Sequence, residues 1–251
     1  MISTFRKRLW ITLSSLTGIL LWKIASFIVA REIILPSPEA TLMYLSGMLR
    51  EAGTWLAVVA TMRRVLFAFL MNMVFALTLG VASGFSSGIY YALKPLVTVM
   101  KAVPTMGVIL LSLIWFNSET AVVFVCTLIV FPVLYSSVVS GIQHLDNKLL
   151  EMHRLFQIKW PKTLFHFVLP SLRPYLIAGV MSGLGLSMKV IIAAEVLSQP
   201  KTGIGTMFQI ERARLNTTGV FAWSLLVILL TAGMDVLFSV VKKHYGKRDR
   251  G

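Results

Sequence analysis

Several ionisable side chains lie inside long apolar runs of this 251-residue sequence, and among them are Lys101, Lys189, Glu195 and Asp235. A charge inside an apolar segment is costly, so such a residue commonly serves an ionic solute or pairs with another part of the protein. Lys189 lies deepest, about two-thirds along its run, and would attract an anion. Its alternatives are an ion pair with another segment or extension of the side chain toward a polar boundary. Lys189 and Glu195 face directions about 240° apart on a helix and are poor partners for each other.

The apolar run that contains Lys101 also carries Pro104 and Met106 near its centre. Proline removes a backbone hydrogen bond and bends a helix. The freed carbonyl groups are tolerated inside a membrane only against protein or a water-filled path. Lys101, Pro104 and Met106 are therefore candidates for lining a pathway, together with Lys189 and Glu195.

Patterns typical of enzymes do not occur in the sequence. No metal-ligand spacing relates its four histidines, which are His144, His153, His166 and His244. No Gly-Lys-Ser/Thr sequence is present, so any ATP must be hydrolysed by another polypeptide. The single cysteine, Cys126, excludes an intrachain disulfide. We therefore expect a chain that is not an enzyme and has no cofactor of its own.

The composition indicates a membrane protein. Hydrophobic residues make up 57% of the chain and charged residues only 14%, far from the roughly 25% charged residues of soluble domains. The mean hydropathy is +0.80. No repeat or long linker divides the sequence, so residues 1–251 are predicted to form a single transmembrane domain.

The apolar runs predict an all-α, polytopic membrane protein with six transmembrane helices. Each run is close to or above the roughly 20 residues that cross a hydrocarbon core. The first run is too long for the core of a secretory signal and has a poor cleavage site, so we expect a retained anchor. The predicted spans are residues 10–30, 65–85, 96–116, 121–142, 169–197 and 220–241.

The basic residues predict the orientation of these spans. The net charge is +14, and most lysine and arginine residues fall on one set of loops if both termini are cytoplasmic. Arg63 and Arg64 are assigned to an outer segment, before the second span. The charges form no groove-sized cluster and match no nucleic-acid motif, so we expect no nucleic-acid partner.

The segment between the first two spans has an amphipathic pattern. Residues 37–61 carry Met43, Met48 and Trp55 among polar residues. We expect an amphipathic helix on the outer surface of the membrane or an extension of the second span.

Two small-residue patterns lie inside spans, from Gly80 to Gly84 and from Gly179 to Gly183. Small residues four apart let helix backbones approach closely in a membrane. The patterns predict tight packing, either within the chain or between subunits.

A polar and basic island separates the fourth and fifth spans. Asp146 or Asn147 can cap a helix there, and Glu151 is expected in its first turn, where the dipole favours an anion. Pro161 prevents regular continuation past Trp160. The island therefore predicts a helix of about four turns, from residue 146 to residue 160.

One face of this helix is apolar. Polar residues such as Lys159 alternate with apolar residues at helical spacing, and the apolar ones are Leu149, Met152, Leu155 and Phe156. A short amphipathic helix on one side of a bilayer offers that face to a soluble partner.

The island resembles the cytoplasmic coupling loop of permease subunits of ATP-binding-cassette importers. The pattern of that loop is Glu-Ala-Ala, three residues, a glycine, and Leu-Pro about a dozen residues later. Glu151, Leu169 and Pro170 match this spacing. A Met-His pair stands at the two alanines, and Gln157 stands at the glycine.

The resemblance continues through residues 20–237, in the order found in permeases for nitrate, sulfonate, taurine and thiamine-precursor uptake. Asn117 departs from the pattern, because it replaces a usual glycine. The other matching elements are Leu35-Pro-Ser-Pro38, Arg64-Val-Leu-Phe-Ala-Phe69, Val103-Pro104, Trp115-Phe116, Phe131-Pro132 and Ala193-Ala-Glu-Val-Leu197.

The resemblance implies a type I importer permease that couples to its ATPase through residues 146–168. It implies two ATP-binding-cassette ATPase subunits as partners, with ATP bound by those subunits. It also implies a second permease copy, an extracytoplasmic substrate-binding protein and a place in the bacterial cytoplasmic (inner) membrane. The coupling residues that we predict are Asp146, Leu149, Leu150, Glu151, Met152, Leu155, Phe156, Gln157 and Trp160.

The sequence leaves the solute and the transporter class open. A sulfonate, nitrate or related small anion is the main prediction, and a thiamine-precursor pyrimidine is the alternative. A secondary transporter would be expected to show inverted repeats and paired broken helices, which the sequence lacks. A membrane scaffold subunit would leave the coupling-like island unexplained.

Overall fold

The computed structural model describes residues 4–246, apart from the side chains of residues 4, 5, 7, 8, 11, 147, 153, 154 and 238–246. Regular structure in this range is entirely helical, which confirms the all-α prediction. Lys247, Arg248 and Arg250, which contribute to the predicted charge asymmetry, lie outside the described residues. The helices are α1 (Thr4–Val29), α2 (Pro38–Met48), α3 (Ala52–Phe85), α4 (Ser87–Ala102), α5 (Thr105–Trp115), α6 (Ser118–Gln143), α7 (Asn147–Leu155), α8 (Trp160–Thr163), α9 (Leu169–Ser198), α10 (Ile204–Ala213) and α11 (Thr217–Gly246).

Within the described residues, five helical segments are long and apolar enough to cross a membrane. They comprise α1, α3, α6, the segment from α8 to α9, and α11. The pair α4 and α5 passes the same test together, which gives up to six spans. This agrees with the predicted number, although several helices are longer than the predicted spans.

The predicted third span, residues 96–116, is two helices rather than one kinked helix. α4 and α5 meet at a bend of 102°. Val103 and Pro104 between them have extended backbones, with ψ of 129° and 125°. Pro104 has no N–H to donate, and its ring also disfavours a helical conformation at Val103. Proline therefore breaks this segment completely instead of bending it.

The segment of residues 37–61 is also divided. α2 ends at Met48, and α3 begins at Ala52, so only the first half is a separate helix. The indole N–H of Trp55 donates to the Leu49 carbonyl at 2.9 Å and closes the corner between the two helices. The expected extension of the second span is thus correct for residues 52–61.

The fifth span is predicted to begin at the Leu-Pro pair, but its helical segment begins earlier. The helical segment runs from Trp160 to Ser198, and Leu164–Val168 forms one π-helical turn within it. This turn immediately precedes Leu169 and Pro170. A π turn rearranges the backbone hydrogen bonds locally, which accommodates a proline that cannot donate one.

Glycines bring the central helices α3, α6 and α9 together. A Cβ atom on Gly80 would lie 2.7 Å from the Val138 side chain of α6, and one on Gly84 would lie 2.6 Å from Ile142. A Cβ atom on Gly183 would lie 2.8 Å from Leu134, also on α6. The small-residue patterns therefore serve packing inside the chain, one of their two predicted roles.

α1 lies at the edge of the bundle, with most of its described side chains exposed. The ring of Trp22 stacks on Phe221 at the start of α11, with centroids 5.7 Å apart. Its indole N–H donates to the Pro36 carbonyl at 3.0 Å. Lys23 forms an ion pair with Glu39 of α2. The end of α1 is thus held beside α2 and the start of α11.

α3 and α9 run antiparallel. Thr61, near the start of α3, contacts Glu195 near the end of α9. Phe85, at the end of α3, packs edge-to-face on Trp160, with ring centroids 4.8 Å apart. We call the end of the bundle at Trp160 the coupling end and the end at Glu195 the network end.

Candidate functional site

The predicted coupling segment begins as expected. The Asp146 carboxylate accepts a hydrogen bond from the Lys148 N–H at 2.9 Å, so Asp146 caps α7. The Asp146 carbonyl also accepts from the Leu150 N–H at 3.2 Å. Glu151 is the fifth residue of α7, so the expectation that it lies in the first turn is wrong. Its interaction with the helix dipole is correspondingly weaker, since that effect falls off within the first turn.

α7 is shorter than the predicted helix of residues 146–160. It ends at Leu155, and Gln157 takes a left-handed backbone conformation with φ of 52°. A left-handed residue just after a helix is usually glycine, because other residues meet a steric penalty there. Gln157 occupies the position at which the coupling-loop pattern has glycine, and its backbone conformation explains why glycine is the usual residue there.

The apolar residues of α7 divide between two directions. Leu150 is half-buried and packs toward Val138, Ile142 and Leu172 of the bundle. Leu155 is 82% exposed and Phe156 is 74% exposed. The helix is therefore held to the bundle by Leu150, whereas its C-terminal end presents bare apolar surface.

Leu149 and Met152 add to this surface, because both are exposed. Trp160 is half-exposed at the start of α8 and packs against Phe85 at the end of α3. It belongs to the helix that follows α7, because Pro161 occupies an early position where a missing N–H is tolerated. We call the exposed surface the coupling face, and it comprises Leu149, Met152, Leu155, Phe156 and Trp160.

A buried ion-pair network lies at the opposite end of the bundle. Arg64 of α3 donates to Glu195 of α9 at 2.6 Å. It also donates to both carboxylate oxygens of Glu119 on α6, at 2.8 and 2.6 Å. Arg64 and Glu195 are buried, whereas Glu119 is half-exposed. One arginine thereby joins three helices.

The Glu195 carboxylate also holds α10 in place. The Gly205 N–H donates to Glu195 at 2.9 Å. The Thr61 hydroxyl donates to Glu195 at 2.9 Å and accepts from the Ile204 N–H at 2.8 Å. All four groups are buried, so each polar atom in this cluster finds a partner away from water. We call Thr61, Arg64, Glu119, Glu195 and the N–H groups of Ile204 and Gly205 the network.

The network predicts that Gly205→Ala is strongly destabilising. The added Cβ would lie 2.4 Å from the Glu195 Cβ and 2.5 Å from the Ile192 carbonyl oxygen. Backbone atoms cannot yield cheaply, and forced overpacking costs about 1–3 kcal/mol or more. Thermal denaturation in detergent, followed by size-exclusion chromatography, should show a lower midpoint. Gly107→Ala is the matched control, because its Cβ meets no atom within 4 Å, and equal midpoints for both variants would refute the packing argument.

The five pathway candidates fall in different places. Lys101 is exposed on α4 and donates to the Ser136 hydroxyl of α6 at 2.8 Å. Pro104 is at the break before α5, and Met106 is 63% exposed beside it. Lys189 is exposed and lines a groove between α9, α10 and α11. Glu195 is completely buried in the network and presents no surface to a solute in this structure.

The sequence around Arg64 contains a pattern that indicates the network. The basic residues predict that Arg64 lies in an outer segment before the second span, but Arg64 is buried in α3. Ala57, Thr61, Arg64 and Ala68 recur at helical spacing and are all buried. An arginine that shares the apolar stripe of a helix indicates a buried partner.

A second buried carboxylate, Glu211 of α10, accepts hydrogen bonds from neutral donors. The Tyr44 hydroxyl of α2 donates to it at 2.9 Å, and the Asn216 side chain donates at 2.7 Å. Burial raises the pKa of the Tyr44 phenol, and the hydrogen bond to Glu211 raises it further. The phenol therefore stays protonated as a donor, and α2 is tied to α10.

The residues that the structure describes include no group of three or more His, Cys, Asp or Glu side chains placed to hold a metal ion. Cys126 is buried as a free cysteine. The features that remain for function are the coupling face, the network and the groove beside Lys189.

Comparison with known proteins gives the context of this arrangement. Residues 74–247, well over half of the chain, match the family described as the binding-protein-dependent transport system inner membrane component. The aliphatic sulfonates transport permease protein SsuC of Bacillus subtilis (strain 168) is 25% identical over 206 residues, which cover 81% of this chain and 74% of SsuC. The taurine transport system permease protein TauC of Escherichia coli (strain K12) is 24% identical over 226 residues, covering 86% and 82%.

A third relative is the nitrate import permease protein NrtB of Leptolyngbya laminosa, which is 28% identical over 160 residues, or 63% of this chain and 56% of NrtB. Among solved structures, an inward-facing MetNI methionine ABC transporter has a chain that matches with a TM-score of 0.67 at 14% identity. The match covers 77% of this chain and 98% of that chain. At such low identity this likeness concerns the fold.

Proposed function

Because the chain belongs to the family of binding-protein-dependent transport system inner membrane components, we propose that it forms half of the solute pathway of an ATP-driven importer. Membership confirms the predicted transport subunit, which is not an enzyme, and the predicted multi-pass protein of the inner membrane. It also gives the chain a separate ATPase and a substrate-binding protein as partners. The proposal concerns how those partners meet the chain and what is carried.

The coupling face carries this proposal. Leu155 and Phe156 are large apolar side chains left bare at the end of a short amphipathic helix. Because the helix belongs to a polar and basic segment between two spans, exposed apolar surface on it is typical of a contact with another protein rather than with lipid. We assign the contact to the ATPase, with one ATPase subunit on each of two permease copies. Nucleotide is then bound by the ATPase and not by this chain.

The second permease copy faces the broken helix pair in this proposal. Met106, Leu110 and Ile114 of α5 are all well exposed, although α5 packs on α6 and its Ile109 is buried in the core. Pro104 immediately precedes α5, and Lys101 is exposed near the end of α4. A pathway between two identical halves would place the break on its wall, where freed backbone groups can face water.

Both termini are assigned to the cytoplasmic side. α1 ends and α11 begins close together, as the stacking of Trp22 on Phe221 requires. Glu211, just before α11, contacts α2, near the network end. The opposite ends of α1 and α11 therefore lie toward the coupling end, where the ATPase is proposed to bind.

The solute is proposed to be a small anion of the sulfonate or nitrate type, in line with what SsuC, TauC and NrtB are named for. A thiamine-precursor pyrimidine is the alternative. The exposed cation Lys189 favours an anion, since it lies on a span and forms no ion pair with a described residue.

Co-purification from the native membrane tests the proposed function. We expect the tagged chain, extracted in mild detergent, to bring down a nucleotide-binding ATPase in equal amount. We also expect ATP hydrolysis by the complex to rise when the solute-loaded binding protein is added. Reproducible purification without any ATPase would contradict the assignment of an importer subunit.

A further inference from the structure

The groove beside Lys189 combines positive charge with apolar walls. It has a volume of about 750 Å³ and lies between α9, α10 and α11. Lys189 of α9 and Arg212 of α10 both line it. Its walls include Ile192, Val196 and Phe208. Its size is within the usual range for small-molecule sites, about 300–1,000 Å³.

The acidic residues of the same helices, Glu195, Glu211 and Asp235, do not line the groove. Glu195 is bound to Arg64 in the network, and Glu211 is bound to Tyr44 and Asn216. No described carboxylate lines the groove. The two cations therefore face the groove without a neutralising acid among the described residues.

Both cations also retain unused hydrogen-bonding capacity. The Arg212 guanidinium donates to Gln209 at 3.3 Å, one of the five N–H groups that an arginine carries. Lys189 makes no ion pair with a described residue. Charged groups against apolar walls are costly unless an opposite charge meets them.

We propose that the groove binds an amphiphilic organic monoanion, such as an alkanesulfonate, with its head group between Lys189 and Arg212. The aliphatic chain of the ligand lies along Ile192, Val196 and Phe208. This inference rests on the proposed import function and narrows its solute class. Nitrate has about the volume of one or two water molecules, each about 30 Å³, so it would leave most of the apolar wall without a contact.

A chain-length series of linear alkanesulfonates tests the ligand class. The full chain, with its co-purifying subunits in lipid nanodiscs, is titrated calorimetrically with the propane-, butane-, pentane- and hexanesulfonates. We expect the affinity to rise about fourfold for each methylene group, as burial of apolar surface predicts. Nitrate and hexyltrimethylammonium are expected to bind at least tenfold more weakly than hexanesulfonate.

Substitutions then test the two cations. Lys189→Met and Arg212→Met are each expected to weaken hexanesulfonate binding by about tenfold or more, the usual effect of losing a charged hydrogen bond. Lys189→Arg keeps the charge and should retain most of the affinity. Arg214→Met is the matched control, because Arg214 is an exposed arginine at the end of α10 that does not line the groove.

The outcomes separate this inference from the proposed function. Equal binding by the wild type, Lys189→Met and Arg212→Met would overturn the site, and nitrate binding as tight as hexanesulfonate would overturn the amphiphile class. Equal binding of hexyltrimethylammonium would reduce the effect to unspecific partitioning and also overturn it. None of these results would affect co-purification of the ATPase, on which the proposed function is judged.

Discussion

Phe156→Asp is expected to release the ATPase from the permease. Phe156 is 74% exposed at the end of α7, and a large aromatic anchor at an interface commonly contributes 2 kcal/mol or more. This energy corresponds to a loss of about 30-fold or more in affinity. The loss should be larger here, because the substitution also places a carboxylate in the apolar contact.

Two variants serve as controls for Phe156→Asp. Phe156→Leu keeps an apolar side chain and should retain most of the ATPase. Met43→Asp places the same charge on another exposed apolar residue, 79% exposed on α2. α2 contacts α10 through Tyr44 and Glu211, so Met43 lies away from the coupling face and its substitution should not affect the ATPase.

Co-purification and solute-stimulated ATP hydrolysis are measured together for these variants. We expect Phe156→Asp to insert and fold normally, because its side chain is exposed and makes no contact inside the bundle core. A Phe156→Asp complex that kept both its ATPase and its stimulated hydrolysis would disprove the coupling assignment. Glu151→Lys should have a much weaker effect, since Glu151 lies beyond the first turn of α7.

The coupling segment shows how far local sequence can predict structure. Asp146 predicts the start of α7 correctly, because capping depends on one residue and its near neighbours. The end of α7 cannot be predicted from the sequence, because the residue that adopts the left-handed conformation there is Gln157 and not a glycine. Replacing glycine by glutamine at this position thus removes the sequence pattern that marks the end of a helix, although the backbone still adopts the same conformation.

Apolar runs predict which segments enter the membrane but not how they bend. Pro104 predicts a kink and in fact interrupts the helix, whereas the angle of 102° between α4 and α5 also depends on how α5 packs against α6. The length of α3 is likewise underestimated. Its first turns carry polar residues such as Thr54 and Thr61, which are buried against the rest of the bundle. Tertiary contacts therefore decide both features.

The partners in the network cannot be predicted from local sequence patterns, because they are far apart along the chain. Arg64 meets Glu119 and Glu195, which are 55 and 131 residues away along the chain. Periodicity places Arg64 on a buried stripe but cannot identify its partners. α10, which Glu195 holds through Gly205, is likewise missing from the predicted helices.

Arg64→Met is expected to be severely destabilising. It would leave Glu195, whose side chain is fully buried, without its cation and would also free Glu119. Breaking a buried ion pair by removing one partner costs about 3–5 kcal/mol, because a charge remains buried without compensation. For a chain of this size, that cost lowers the thermal midpoint by roughly 6–20 °C.

Thermal denaturation of the variants in detergent separates the buried pair from the exposed one. Arg63→Met is the matched control, since Arg63 is the adjacent arginine of α3 and is exposed, so its midpoint should hardly change. Glu119→Gln should cost about 1 kcal/mol or less, because Glu119 is half-exposed. The double variant Arg64→Met/Glu195→Gln should recover much of the loss, because no buried charge remains while the amide oxygen can still accept from Gly205. If the double variant is as unstable as Arg64→Met alone, uncompensated charge is not the cause, and the network would have to act through packing instead.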